Sequence, residues 1–414
     1  MPGMDFGCDI DGSCDTSQVV VPLQSIGGVD GAAQMKHFAS EGANTFRIPV
    51  SWQFLTNNKG GTDLDSTKFG EFQAVMKACL DTGAYCQIDL HNFARYDSGI
   101  IGQGGPSNDE FTTLWKNIAE PYKGNDKVIF GLMNEPHDLN INLWAETCQA
   151  VVNGLRNSGA TSQIILLPGN NFTSVATMID NGSAAALLNV TNPDGSTDNL
   201  LLDIHKYLDI NNSGTHAACV MNNVQAFDDL ATYLRKAGRK GFISETGASG
   251  DSSCLTMFCQ QNEAIAKNAD VYQGLTGWGA GSFKQDYILT LTPIVGSNGK
   301  MTDQKIFTQC LLDVWENTKA DVATPQSSSS TSASTSTKSA SKTTSATKTA
   351  SATQKDLATP TSAASTAVGS GSRLDSGSRT VSSPHPSVTG GASIAGGSAV
   401  TVVVAAIGAF LFML

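Results

Sequence analysis

Val128-Ile129-Phe130-Gly131-Leu132-Met133-Asn134-Glu135-Pro136-His137 decides how the rest of the chain is read. Six apolar or small residues run without alternation, as in a strand covered on both faces, and such strands belong to parallel sheets. The run then turns abruptly polar, so the end of the strand carries Asn134, Glu135 and His137. Ile164-Ile165-Leu166-Leu167 followed by Pro168-Gly169-Asn170-Asn171 repeats the pattern.

Outward from that stretch the pattern becomes a rhythm. Short apolar runs end near Val50, Leu90, Met133, Leu167, Ile204, Ser244 and Gly277, 33 to 43 residues apart. Helix-like segments lie between them, among them 68–80, 110–119, 143–156 and 224–236. Alternating strands and helices argue for a parallel α/β sheet. Seven units are visible, and Met4-Asp5-Phe6 reads as the end of an eighth whose strand is cut short. Eight such units make a (β/α)8 TIM barrel; a doubly wound open sheet shares the rhythm. Polar clusters follow every strand: Arg47 to Trp52, Asp89-Leu90-His91-Asn92, Asn134-Glu135, Asn170-Asn171, His205-Lys206-Tyr207, Glu245-Thr246-Gly247 and Trp278-Gly279. In a barrel these positions share the C-terminal rim, where barrel enzymes build their sites.

Charge narrows the chemistry. Lys+Arg is 26 against 37 Asp+Glu among 414 residues, a net charge of −11. Phosphate backbones need basic clusters, so nucleic acid is excluded as a partner. HExxH, GxxxxGK[ST] and GxSxG are missing from the sequence, and Gly277-Trp278-Gly279-Ala280-Gly281 suits no phosphate turn. His91 and His205 read as partners of carboxylates rather than metal ligands. Two strand-end glutamates remain, Glu135 and Glu245. Glycoside hydrolysis needs two carboxyl groups flanking the scissile bond, one protonated and one ionised, and one rim can give each its own environment. A neutral sugar offers an apolar face and a hydroxyl edge. Trp52 and Trp278 suit the first, and Asn92, Asn134 and Asn170 the second; core packing for Trp52 and a turn role for Asn170 are the competing readings.

These residues carry a resemblance. Phe46-Arg47-Ile48-Pro49-Val50, His91-Asn92-Phe93-Ala94-Arg95, Gly99 to Pro106, Met133-Asn134-Glu135-Pro136-His137, Asp203-Ile204-His205-Lys206-Tyr207, Glu245-Thr246-Gly247 and Gly277-Trp278-Gly279-Ala280-Gly281-Ser282 fall in order along the chain. Together they resemble the fungal endo-β-1,4-glucanases (cellulases) of glycoside hydrolase family 5. The resemblance implies a (β/α)8 barrel, a retaining mechanism, a β-glucan polysaccharide substrate, a monomer, and neither metal nor other cofactor. It makes Glu135 the acid/base and Glu245 the nucleophile. Asn134 would bind the sugar 2-hydroxyl, and Arg47 and Tyr207 would hold Glu245 ionised. His91, Asn92 and His205 would surround the site, with Trp278 as a stacking floor. It also supports the pairs Cys8–Cys14, Cys79–Cys86, Cys219–Cys254 and Cys259–Cys310, which spacing alone leaves open; Cys148 is left over, mid-helix. Mannanase or other β-glucanase specificity is the neighbouring alternative. A non-catalytic carbohydrate-binding surface protein and a structural wall protein are alternatives of other classes.

The ends of the chain read differently from its middle. Residues 1–320 form the expected catalytic domain. In 324–370, 26 of 47 residues are Ser or Thr, too polar to bury a core, so 321–390 reads as an O-glycosylated stalk. Residues 391–414, small residues and then the apolar 399–414, read as a GPI-attachment signal rather than a span. A membrane is thus a partner only through that anchor, and the expected location is secreted and surface-attached. The opening residues form no signal peptide, so a missing upstream segment is expected. Nine cysteines and four sequons, Asn171-Phe172-Thr173, Asn181-Gly182-Ser183, Asn189-Val190-Thr191 and Asn211-Asn212-Ser213, agree with export.

Overall fold

Seven strands form one parallel sheet in chain order: β1 (Thr45–Val50), β2 (Tyr85–Leu90), β3 (Val128–Gly131), β4 (Ile164–Leu167), β5 (Leu200–Tyr207), β6 (Gly241–Gly247) and β7 (Tyr272–Gly277). This computed structural model describes residues 8–21, 30–281 and 285–316. The chain divides into Met1–Gln326 and Ser327–Leu414, and every described residue falls in the first. The stalk, the terminal tail and the expected first strand at Met4-Asp5-Phe6 all lie outside the described residues.

β1 to β6 are buried nearly throughout, β5 and β6 at every position, which explains their apolar runs; β7 is buried only at Tyr272 and Thr276. Helices cover the outer face: α1 (Gly31–Ser40), α2 (Ser66–Leu80), α3 (Asn108–Ala119), α4 (Ile141–Asn157), α5 (Val224–Ala237) and α6 (Ser252–Lys267). Short polar residues start five of them, all but α5, by accepting otherwise orphaned amides. Asp65 accepts from Thr67 and Lys68, and Ser107 forms a reciprocal capping box with Glu110. On α3, Phe111, Leu114, Trp115 and Ile118 are fully buried, the stripe that a 3.6-residue period places on one face. Two buried indoles tie helices to strand ends while satisfying their own N–H. Trp115 Nε1 donates to the Leu132 carbonyl (3.1 Å) and Trp144 Nε1 to that of Pro168 (2.9 Å).

The sheet curls into a nearly closed barrel. Among the described residues no ladder joins β7 back to β1, and a cavity of about 440 Å³ lies between them, lined by Thr45, Phe46 and Arg47 on one side and Gly274, Thr276 and Gly277 on the other. Ladder register shifts once between β5 and β6: Ile204 pairs with Ile243, but His205 pairs with Glu245. Ser244 is the extra residue. A bulge re-aims the side chains that follow it, and here it sets Glu245 beside His205.

The four cysteine pairs form as the resemblance implied, and Cys148 is free and buried. No described helix is long and apolar enough to cross a membrane.

Candidate active site

Arg47 enters from the middle of β1, and an inward-facing guanidinium needs paired anions. It has them on two sides. Nη1 reaches Glu245 Oε2 at 2.5 Å; Nη2 reaches Asp89 Oδ2 at 2.9 Å and donates to Asn134 Oδ1 at 2.6 Å. Burial would weaken its charge, but Asp89 and Glu245 outweigh this and raise its pKa.

Glu245 is buried at the end of β6, where desolvation alone would favour the neutral acid. Arg47, His205 and His91, with a hydrogen bond from Tyr207, reverse that preference and hold its pKa well below the usual carboxylate range. Tyr207 Oη donates to Glu245 Oε1 at 2.7 Å. Burial and the adjacent carboxylate push the Tyr207 pKa far up, so the phenol keeps the proton it donates.

Glu135 follows β3 with φ +41°. Its Oε1 lies 2.9 Å from His205 Nδ1. On the other side of that ring, Nε2 meets Ser244 Oγ at 2.9 Å. Burial opposes the charged imidazole, but Glu245 and Glu135 prevail and raise the His205 pKa. One side-chain atom from each of Glu135, His205 and Glu245 lies within 4.8 Å of the others. Asn134 accepts from Arg47, and its Nδ2 has no protein partner among the described residues. Trp278 is half-buried. His91 stacks against its ring (5.7 Å between centroids, planes at 13°) and Arg47 lies 5.9 Å from it. Asp89 Oδ2 fixes His91 through Nδ1 at 2.7 Å.

The geometry therefore assembles Arg47, His91, Asn134, Glu135, His205, Tyr207, Glu245 and Trp278 at one end of the barrel. Asn92 lies at the edge with its amide spent: Oδ1 accepts from the Trp52 amide and Nδ2 donates to Gln53 Oε1, both 2.7 Å. Trp52, expected against a sugar face, is 1% exposed. It packs on Tyr96 and Phe111 as core. Asn170 donates to the Leu139 carbonyl at 3.2 Å and braces a turn. Sequence reasoning assigned no role to Asp89, which joins Arg47 to His91, or to Ser244. It also passed over Tyr287, whose hydroxyl accepts from Trp278 Nε1 at 3.0 Å. Asp89 was findable, since it shares a strand face with Gln87 and His91 by the two-residue period. Among the described residues, two groups bring potential metal ligands within 4.8 Å: Glu135, His205 and Glu245, and, away from the rim, His37, Glu41 and Asp303.

Two facing carboxyls, one clamped by a guanidinium and a phenol, beside an indole with a polar surround, define the site of a glycoside hydrolase barrel. The family description "Cellulase (glycosyl hydrolase family 5)" matches residues 17–282. Endoglucanase EG-II of Hypocrea jecorina is 52% identical over 315 residues, 75% of each chain. Endoglucanase 1 of Saitozyma flava is 43% identical over 73% of this chain and 86% of its own. A manganese dependent endoglucanase, Eg5A of Phanerodontia chrysosporium, is 38% identical over 74% and 76%. The crystal structure of Cel5A (EG2) from Hypocrea jecorina superposes with a TM-score of 0.73 at 51% identity, covering 75% of this chain and 95% of that one. The chain belongs to the cellulases of glycosyl hydrolase family 5.

Proposed function

We propose that this chain is an endo-β-1,4-glucanase that cleaves internal β-1,4-glucosidic bonds of cellulose or a related β-glucan by double displacement, with Glu245 as nucleophile and Glu135 as acid/base. The spacing of the two carboxyls carries the mechanistic reading. Retaining sites hold their carboxyl groups about 5–5.5 Å apart and inverting sites about 6.5–9.5 Å, the wider gap admitting a water. Oxygens of Glu135 and Glu245 lie within 4.8 Å, so the nucleophile itself fits against the anomeric carbon. Glu245, held ionised by Arg47 and Tyr207, attacks that carbon as Glu135 protonates the departing glycosidic oxygen. In the second step Glu135 takes a proton from water, whose oxygen displaces Glu245. The unspent Nδ2 of Asn134 is the donor for the neighbouring sugar hydroxyl, and the Trp278 face receives the sugar's C–H surface. His205 and His91 hold the two carboxyls' surroundings in register.

Rates measured in parallel on carboxymethyl cellulose, mannan and laminarin test the specificity. The cellulose derivative should be cleaved fastest, and faster cleavage of mannan or laminarin would refute the β-1,4-glucan assignment. Export is supported by four disulfides, which persist in oxidising compartments. The apolar terminus at 399–414 supports attachment through a GPI anchor. Phosphatidylinositol-specific phospholipase should then release the activity from the cell surface; activity that stays bound would contradict the anchor.

A further inference from the structure

The four sequons are the sequence feature that the cleft leaves unexplained, and their side chains differ sharply in the folded chain. Asn171 spends its Nδ2 on Thr177 Oγ1 (2.9 Å), and the Thr173 of its sequon is fully buried. Asn181 spends Nδ2 on the Asn170 carbonyl (3.2 Å) and Oδ1 on the Ser183 amide (2.9 Å), with Ser183 fully buried. Asn189 is exposed, but Nδ2 donates to the Ala185 carbonyl (3.0 Å) at the end of a short helix.

Asn211 is unlike these three. It is exposed on the loop that follows β5, and its Nδ2 has no partner among the described residues. Its Oδ1 accepts from Ser213 Oγ at 2.7 Å, so the acceptor side chain and the hydroxyl of the same sequon already meet. The loop is rigidly built. Buried Asp209 accepts from the amides of Gly214 (3.1 Å), Thr215 (3.1 Å) and His216 (3.2 Å). Asn212 Oδ1 accepts from the Tyr207 amide at 2.9 Å.

We propose that Asn211 carries an N-linked oligosaccharide, placed on a rim loop of the cleft. The co-reactant is an oligosaccharide linked through pyrophosphate to a lipid. Asn211 Nδ2 forms a bond to the first sugar's C1, the bond from C1 to the phosphate oxygen breaks, and the lipid pyrophosphate leaves with that electron pair. The amide surrenders one proton to the medium, and nothing is oxidised or reduced. A sugar at Asn211 displaces no native hydrogen bond and meets solvent. At Asn171 or Asn181 it would press a bulky substituent into a bonded, partly buried turn, so folded molecules carry it at Asn211. The inference rests on passage through the secretory pathway.

The test is glycosidase release in heavy-oxygen water and peptide mapping of catalytically active full-length chain made in a secretory yeast, taken from medium and cells together. Active protein limits the reading to folded molecules, so poor export does not confound it. The peptide holding Asn211 should show the mass-shifted aspartate and that holding Asn181 should not. S213A, which keeps Asn211 but removes the hydroxyl, should abolish the shift, and N211Q should lower the intact mass by one glycan. Active protein with unmodified Asn211, or with a shift at Asn181 instead, would overturn the proposal.

Discussion

Glu135 occupies the left-handed region at φ +41°, a conformation that disfavours any residue with a Cβ and persists where surrounding structure over-determines it. What determines it here is the pair of contacts around it: His205 on its carboxylate and Asn134, one residue earlier, on Arg47. The two glutamates should therefore fail differently when removed. Glu245→Ala removes the proposed nucleophile and should abolish turnover even with an activated aryl leaving group. Glu135→Ala should lose turnover on cellulose by about 10²–10⁴-fold, the usual range for general acid–base help. It should still release a leaving group that needs no proton, and added azide should be captured as the β-glycosyl azide. Equal loss on both substrates in both variants would contradict the division of roles.

The pH dependence follows from Glu245. Its folded pKa lies below the unfolded value, near 4.3. Its contribution to stability is thus fully present above that pH and is lost as pH falls through the folded value. The same ionised form is the proposed nucleophile. The acid limb of kcat/KM should sit below the ordinary carboxylate range, and Arg47→Gln should move it upward; an unmoved limb would detach that limb from Glu245. The two glutamates were readable in sequence because each ends an apolar run. Asn92 was readable as a rim residue but not as one whose amide is consumed by Trp52 and Gln53, since Gln53 and Trp52 come from a different unit.

At the scale of elements, helix positions expected from periodicity lie within two residues of those observed; 143–156, for example, became Ile141–Asn157. Two strands that end in the candidate site were read too short, and the one before Glu135, expected to end near Met133, ends at Gly131. The runs expected to end at Ile204 and Ser244 continue to Tyr207 and Gly247. His205, Lys206, Glu245 and Thr246 look like loop residues by polarity, yet the ladder continues through them: His205 and Glu245 find partners inside the barrel, while Thr246 Oγ1 donates to the Lys206 carbonyl and accepts from Gln261 Nε2 of α6. The Ser244 bulge was invisible, because hydrophobicity has no signal for one extra residue inside an apolar run. Helix starts are carried by single side chains. Ser107→Ala removes the Ser107–Glu110 capping box from α3. It should cost about 1 kcal/mol, read as a lower Tm with kcat unchanged; a stability loss several times larger would mean that Ser107 does more than cap.

For the molecule as a whole, the rhythm of strands and helices gave a parallel α/β fold but left a doubly wound open sheet beside the barrel; the polar clusters after each strand, which share one rim in a barrel, pointed to the barrel. The rhythm could not give what fastens the ends. The last helical segment among the described residues, 305–316, is held to α6 by Cys259–Cys310, a separation of 51 residues, and by Asn262 Nδ2 donating to the Cys310 carbonyl at 2.8 Å. Chain-entropy arguments put the removal of a loop that long at about 4 kcal/mol. Cys259→Ser with Cys310→Ser should lower the denaturant midpoint accordingly, and an unchanged midpoint would mean that packing alone secures the segment. The two sides of the cavity between β1 and β7 come from opposite ends of the barrel order, so neither strand announces the gap by itself.

In the proposed double displacement Glu245 attacks the sugar directly, with Glu135 supplying and then recovering the proton. Proton NMR of the first products released from a soluble β-1,4-glucan, recorded before mutarotation, tests it most directly. The β-anomer should appear first and the α-anomer only as equilibrium is approached. Initial release of the α-anomer would make the enzyme inverting and remove Glu245 from the role of nucleophile.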